Sequence, residues 1–159
     1  EVSLHYSGPN NDKMTQHNFL PQDILKWFHS VFDHYTDWNK IGPTDKSINS
    51  VWVNEMKANE YNPVHYHDGN ISGVGYLKIP KYLNYSKKKK KTNGTIDFIN
   101  GQKSFLSNSI HNHVPKVGDM IIFPNYLMHT AYPFLVSGER RSFSFNLEVD
   151  KKISKIFND

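Results

Sequence analysis

The sequence predicts a mainly β fold, a sandwich or barrel of short strands with one helix packed against it. Three observations carry that expectation. From Ser50 onward, segments of β-forming residues recur at roughly even spacing, separated by turn signals. Ahead of them lies one segment with apolar residues at helical intervals. At 159 residues the chain suits a single domain, with a helical part near 18–36 and a β core near 50–150.

The elements follow in chain order. Residues 1–16 are polar and irregular. Phe19, Ile24, Leu25, Phe28, Val31 and Phe32 have helical spacing up to Tyr35, and Pro21 suits a helix start. Gly42-Pro43 reads as loop. Val51 to Met56 is rich in β-formers, and Ile71 to Ile79 is a second such run, closed by Pro80. Asn93-Gly94 is a turn signal before Thr95 to Ile99. Met120 to Phe123 is a short apolar strand ended by Pro124, and Met128 to Phe134 is another. Ser142 to Val149 alternates polar and apolar residues, the period of a strand with two different faces.

Composition removes several functions. No run of apolar residues is long enough to span a membrane, and no signal-peptide pattern opens the sequence. Cysteine is absent, which excludes disulfide scaffolds, thiolate zinc sites and cysteine nucleophiles. A reducing, cytoplasmic compartment is the expectation, the host cytoplasm if the chain is viral. A metal would have to be held by His, Asp, Glu or water, and nine histidines are available. The net charge of +4 rests on one tract, Lys87 to Lys91, which reads as a solvated loop. It lacks the interleaved aromatics and arginines of a nucleic-acid motif.

Three histidine groups could carry chemistry. His65-Tyr66-His67-Asp68 comes first: alternate strand residues share a face, so His65 and His67 could converge on one ion, with Asp68 at the turn. His111-Asn112-His113 repeats the pattern in a polar stretch without a carboxylate or a strong strand beside it. His129 stands alone at the start of a strand. Downstream, alternation puts Arg140, Ser142 and Ser144 on one face and Arg141, Phe143 and Phe145 on the other. An inward arginine needs a partner, and no acid sits in register, so an anionic ligand fits. The planar guanidinium suits a carboxylate, and Ser142 can add a hydrogen bond.

Taken together, these residues resemble the 2-oxoglutarate- and Fe(II)-dependent oxygenases. The closer similarity is to a small prolyl-hydroxylase-like group found in phages and bacteria. His65 and His67, Ser72-Gly73-Val74-Gly75-Tyr76-Leu77, Phe123-Pro124 with His129, and Arg140 through Asn146 carry the resemblance, which covers about residues 50–148. It implies a double-stranded β-helix, the jelly-roll or cupin-like fold, with the N-terminal helix as buttress. It also implies Fe(II) held by His65, His67 and His129, leaving three positions for 2-oxoglutarate and O₂. Arg140 is then expected to hold the far carboxylate of 2-oxoglutarate, with Ser142 beside it and Tyr76 and Asn54 as further contacts. The implied reaction is hydroxylation of an unidentified substrate, peptide side chains included; the oligomeric state stays open between monomer and homodimer.

The sequence departs from the resemblance at His67, where most of the superfamily has Asp or Glu. A neutral imidazole leaves the site one unit more positive. Asp68 is the alternative third ligand, although on a regular strand it faces away. Two other functions stay open on these residues. One is a cupin-like metalloprotein that does not use 2-oxoglutarate; the other is a non-catalytic binding module of the same fold.

Overall fold

The computed structural model describes residues 21–40, 46–67, 69–81 and 92–149. The expected loop over Lys87–Lys91, the irregular residues 1–16 and Asp68 lie outside them. One helix, α1 (Gln22–Trp38), precedes eight strands: β1 (Lys46–Lys57), β2 (Asn62–His65), β3 (Ile71–Lys78), β4 (Ile96–Ile99), β5 (Ile110–His113), β6 (Met120–Pro124), β7 (Met128–Ala131) and β8 (Glu139–Val149). They form two antiparallel four-stranded sheets, ordered β1-β8-β3-β6 and β2-β7-β4-β5. Among the described residues, no helix is long and apolar enough to cross a membrane.

Two apolar clusters hold the layers together. Outside the first sheet, Phe28 and Phe32 of α1 meet Ile71, Phe145 and Leu147. Leu25, Phe28, Phe32 and Thr36 form the buried stripe of the helix, which is why a helix this short is stable here. The ring of Phe28 meets Phe145 edge-on at 5.2 Å, and Phe145 is fully buried. Between the sheets lies the second cluster: Val74, Tyr76, Ile96, Phe98 and Phe123.

The Ser-Gly-x-Gly-Tyr segment has a packing reason. In the β3–β8 register, Gly73 opposes Phe145 and Gly75 opposes Phe143. A Cβ on Gly73 would come within 2.1 Å of the Phe145 ring, and one on Gly75 within 2.3 Å of the Phe143 ring. The two glycines leave room for two rings to lie across β3 and meet α1. The residues between and beside them, Ser72, Val74 and Tyr76, face the other way, into the space between the sheets.

The strands differ from expectation in two places. His111-Asn112-His113 is on a strand, β5, which its few apolar residues do not announce; it is held as an edge by pairing with β4. Asn112 also donates to Asp97 (2.6 Å) and Thr95 (2.8 Å), and Tyr132 donates to Asp97 (3.0 Å), so a buried carboxylate ties β5 and the β7 end to β4. The second difference is β2, which ends at His65; His67 is beyond it and strand alternation does not place it.

Candidate metal and cosubstrate site

Between the sheets is a cavity of about 340 Å³ whose two walls carry different chemistry. On the wall from the second sheet, β2 delivers His65 and β7 delivers His129 directly opposite it. His67 reaches the same point from the loop after β2. One ring nitrogen from each of the three lies within 4.8 Å of the other two, the one such group of three among the described residues that could hold a metal ion.

The protonation of these rings follows from their neighbours. His65 Nδ1 lies 2.7 Å from the Pro63 carbonyl, and His129 Nδ1 lies 2.9 Å from the Leu127 carbonyl. A carbonyl can only accept, so both Nδ1 atoms carry a proton, and Nε2 is the ring nitrogen left for another partner. Burial pushes the His67 pKa down to about 4, helped by the neighbouring His129 and His65. Burial also lowers His129 to about 4, against the opposing pull of the Leu127 carbonyl and with a further push from His65. Both are therefore neutral at pH 7, as metal ligands must be.

This donor set fits a metal ion. His67 Nε2 and His129 Nε2 face each other at 3.2 Å. Two lone pairs at that distance repel unless a proton or a cation sits between them. Imidazole nitrogens about 2.1 Å from one ion and cis to each other are about 3 Å apart. The carbonyl bonds on His65 and His129 are the outer contacts that orient ligating imidazoles. All-nitrogen imidazole ligation suits Fe(II) among other first-row ions.

The wall from the first sheet is polar and cationic. Arg140, Ser142 and Ser144 of β8 are buried and line the cavity with Asn54, Tyr76 and Trp52. Arg140 is 3% exposed. Its guanidinium donates to the Gly94 carbonyl at 3.2 Å and touches the Met56 sulfur, both uncharged. No carboxylate of the described residues pairs with it. Arg141 lies on the opposite face and pairs with Glu55 and Glu139. Asn54 donates to Ser144 Oγ at 3.0 Å, which fixes its amide in the wall. Tyr76 is aligned with Ser142 across β3 and β8.

The second His-x-His triplet is not brought into this group. His113 pairs with Asp119 at 2.9 Å, and His111 lies beside Phe98 with ring centroids 6.5 Å apart. Four contributors escaped the sequence reading: Asn125 and Trp52, which contact His67, and Met56 and Gly94, which contact Arg140. The one signal was at Gly94. The Asn93-Gly94 turn is present with Gly94 at φ 71°, and that turn is what presents its carbonyl.

The two antiparallel sheets form the double-stranded β-helix fold of the 2-oxoglutarate- and Fe(II)-dependent oxygenases. The chain belongs to the family described as "Putative 2OG-Fe(II) oxygenase", whose model matches residues 50–146. Enzymes of this family use Fe(II) and 2-oxoglutarate. Solved structures share the fold. The viral collagen prolyl hydroxylase of Paramecium bursaria Chlorella virus-1, in complex with 2-oxoglutarate, is 19% identical, with a TM-score of 0.57 over 83% of this chain and 76% of that one. A Pseudomonas putida prolyl-4-hydroxylase is 14% identical, with a TM-score of 0.53 over 81% and 67%. A Burkholderia pseudomallei oxidoreductase of the 2OG-Fe(II) oxygenase family is 15% identical, with a TM-score of 0.50 over 67% of this chain and 47% of its own length, so this chain spans about half of that protein. No curated protein sequence matches the chain.

Proposed function

We propose that this domain, spanning residues 1–159, is an Fe(II)- and 2-oxoglutarate-dependent hydroxylase in which His65, His67 and His129 hold the iron. Arg140, Ser142, Tyr76 and Asn54 bind 2-oxoglutarate. One observation carries the reading: three imidazoles converge in the same cavity as a buried arginine that has no carboxylate partner among the described residues. A buried cation without a counter-charge is costly, and the distal carboxylate of a dicarboxylate supplies one.

Iron with 2-oxoglutarate and O₂ supplies the oxidising power; the net change is R–H plus O₂ plus 2-oxoglutarate to R–OH plus succinate plus CO₂. The chain's own residues position and enclose. Arg140 and Ser142 anchor one end of the cosubstrate by charge and hydrogen bond. An imidazole at position 67 leaves the site one unit more positive than a carboxylate ligand there would, and the His67 and His129 rings stay neutral at pH 7. Phe98 and Phe123 lie against the His129 ring at 5.9 and 4.9 Å and keep water from that side of the metal position.

The substrate class we favour is a peptide or protein side chain. Trp52 and the exposed Tyr61 stand on the cavity wall, where aromatic faces can bracket an extended chain. The similar structures include two prolyl hydroxylases, a fold-level analogy. A cupin-like activity without 2-oxoglutarate is the second reading, favoured by the neutral third donor His67.

Anaerobic addition of Fe(II) and then 2-oxoglutarate tests the proposal. A weak visible charge-transfer band, dependent on both additions and lost in His129→Ala, is the expected result. Iron binding with no band at saturating 2-oxoglutarate would leave the cupin-like reading, and no metal binding would leave a non-catalytic module.

A further inference from the structure

The three histidines are not held in the same way. His65 and His129 lie on paired strands, and each ring is locked by its own hydrogen bond to a carbonyl. His67 has left the strand, and among the described residues its Nδ1 has no such bond. Among the described residues its ring lies against Trp52, with centroids 5.5 Å apart, and against the two other histidines. Its main chain, by contrast, is hydrogen-bonded through both its N–H and its carbonyl.

That main chain is gripped by one residue. Asn125, in the short turn between β6 and β7, donates from Nδ2 to the His67 carbonyl at 3.0 Å. Its own carbonyl accepts from His67 N–H at 3.1 Å, and its N–H donates to the Asn70 carbonyl at 3.2 Å. Asn70 is anchored in turn by donating to Leu147 of β8 at 2.9 Å. The loop after β2 is thus pinned on both sides of Asp68 to the turn that carries the chain into β7 and His129.

We propose that Asn125 is the positioning residue of the third metal donor. It fixes the His67 backbone, so a ring outside any strand still points at the other two. This rests on the metal site proposed above. Asparagine suits the role because its amide donates to a carbonyl that neither Ala nor Asp can serve. Alanine leaves only the main-chain bonds, and aspartate sets a carboxylate against the His67 oxygen. Losing an outer contact of this kind typically weakens metal binding about 10- to 100-fold.

Equilibrium titration with Co(II), read by its d–d absorption, provides the test without turnover. Asn125→Ala and Asn125→Asp should each weaken Co(II) binding about 10- to 100-fold, while Asn125→Ser, which keeps a hydroxyl donor, retains more of it. A double-mutant cycle separates positioning from general damage. In a His67→Ala background, adding Asn125→Ala should cause no further loss, because Asn125 acts through His67. An equal loss in that background, or no loss in the single variants, overturns the assignment. If the unaltered protein itself fails to bind Co(II), the metal site falls and this inference with it.

Discussion

His65-Tyr66-His67 and His111-Asn112-His113 have the same pattern, and the fold gives them different surroundings. Both begin or lie on strands of the second sheet. The first triplet starts on the last residue of β2, next to β7, and β7 delivers His129 opposite His65. The second sits on β5, where the neighbour is β4, and the residues opposite His111 and His113 are Phe98 and Ile96. A His-x-His pair needs a third donor from across the sheet, and strand order decides whether one is there. Asp119, beside the second pair, is already hydrogen-bonded to His113 at 2.9 Å.

The largest expected effect breaks this contrast directly. His129→Ala should remove Fe(II) or Co(II) binding, with at least about a 100-fold loss in affinity by equilibrium titration. His111→Ala and His113→Ala should leave it near the unaltered value. The reverse outcome would move the metal to β5.

Next comes the opposite wall. Arg140→Ala should raise the 2-oxoglutarate requirement by an amount equivalent to about 2–5 kcal/mol while metal binding persists, measured by cosubstrate titration of the metal-loaded protein. Arg141→Ala should change it little, because Arg141 lies on the other face with Glu55 and Glu139. Equal effects would show that the β8 register does not set cosubstrate binding.

Position 67 sharpens the comparison further. His67→Ala should weaken metal binding, and His67→Asp should keep metal binding and some 2-oxoglutarate decarboxylation, since carboxylate and imidazole both ligate Fe(II). Asp68→Ala should leave binding intact; strong loss there would make Asp68 the third ligand.

Smaller effects concern stability. Gly73→Ala puts a methyl group into the Phe145 ring and should cost about 1–3 kcal/mol of unfolding free energy by denaturant titration. The histidines give the metal-free protein a pH dependence. His67 and His129 have folded pKa values of about 4, below the ordinary 6.5. The unfolded chain therefore binds more protons between those values, and stability falls as pH drops from about 6.5 toward 4. The melting temperature of the metal-free protein should decline over that window, and less so in His67→Gln, which cannot protonate.

How far the sequence foretold this layout depends on what set each part. The alternation of β8 was legible because the strand is long, with Arg140, Ser142 and Ser144 on one face and Phe143, Phe145 and Leu147 on the other. Helix α1 was legible in its apolar spacing, although it runs on to Trp38. Strand β5 was not, because Ile110-His111-Asn112-His113 has little β character and is held by pairing and by Asn112 bonding to Asp97. The placement of His67 beside His65 was expected from alternation, yet β2 stops at His65, and the grip on His67 comes from Asn125, distant in sequence. The neutral partners of Arg140 were hidden for the same reason: Met56 meets it only after β1 and β8 pair, and Gly94 reaches it from the turn before β4 in the other sheet.

The central claim is that one metal ion is held by His65, His67 and His129 and by no other histidines. A crystal structure with Mn(II) in place of iron and with 2-oxoglutarate, the ion located by its anomalous scattering, tests it most directly. We expect a single ion bonded to one ring nitrogen of each of the three, with the far carboxylate of 2-oxoglutarate on Arg140. An ion at His113 and Asp119, or one bonded to an Asp68 oxygen with the His67 ring turned away, would contradict it.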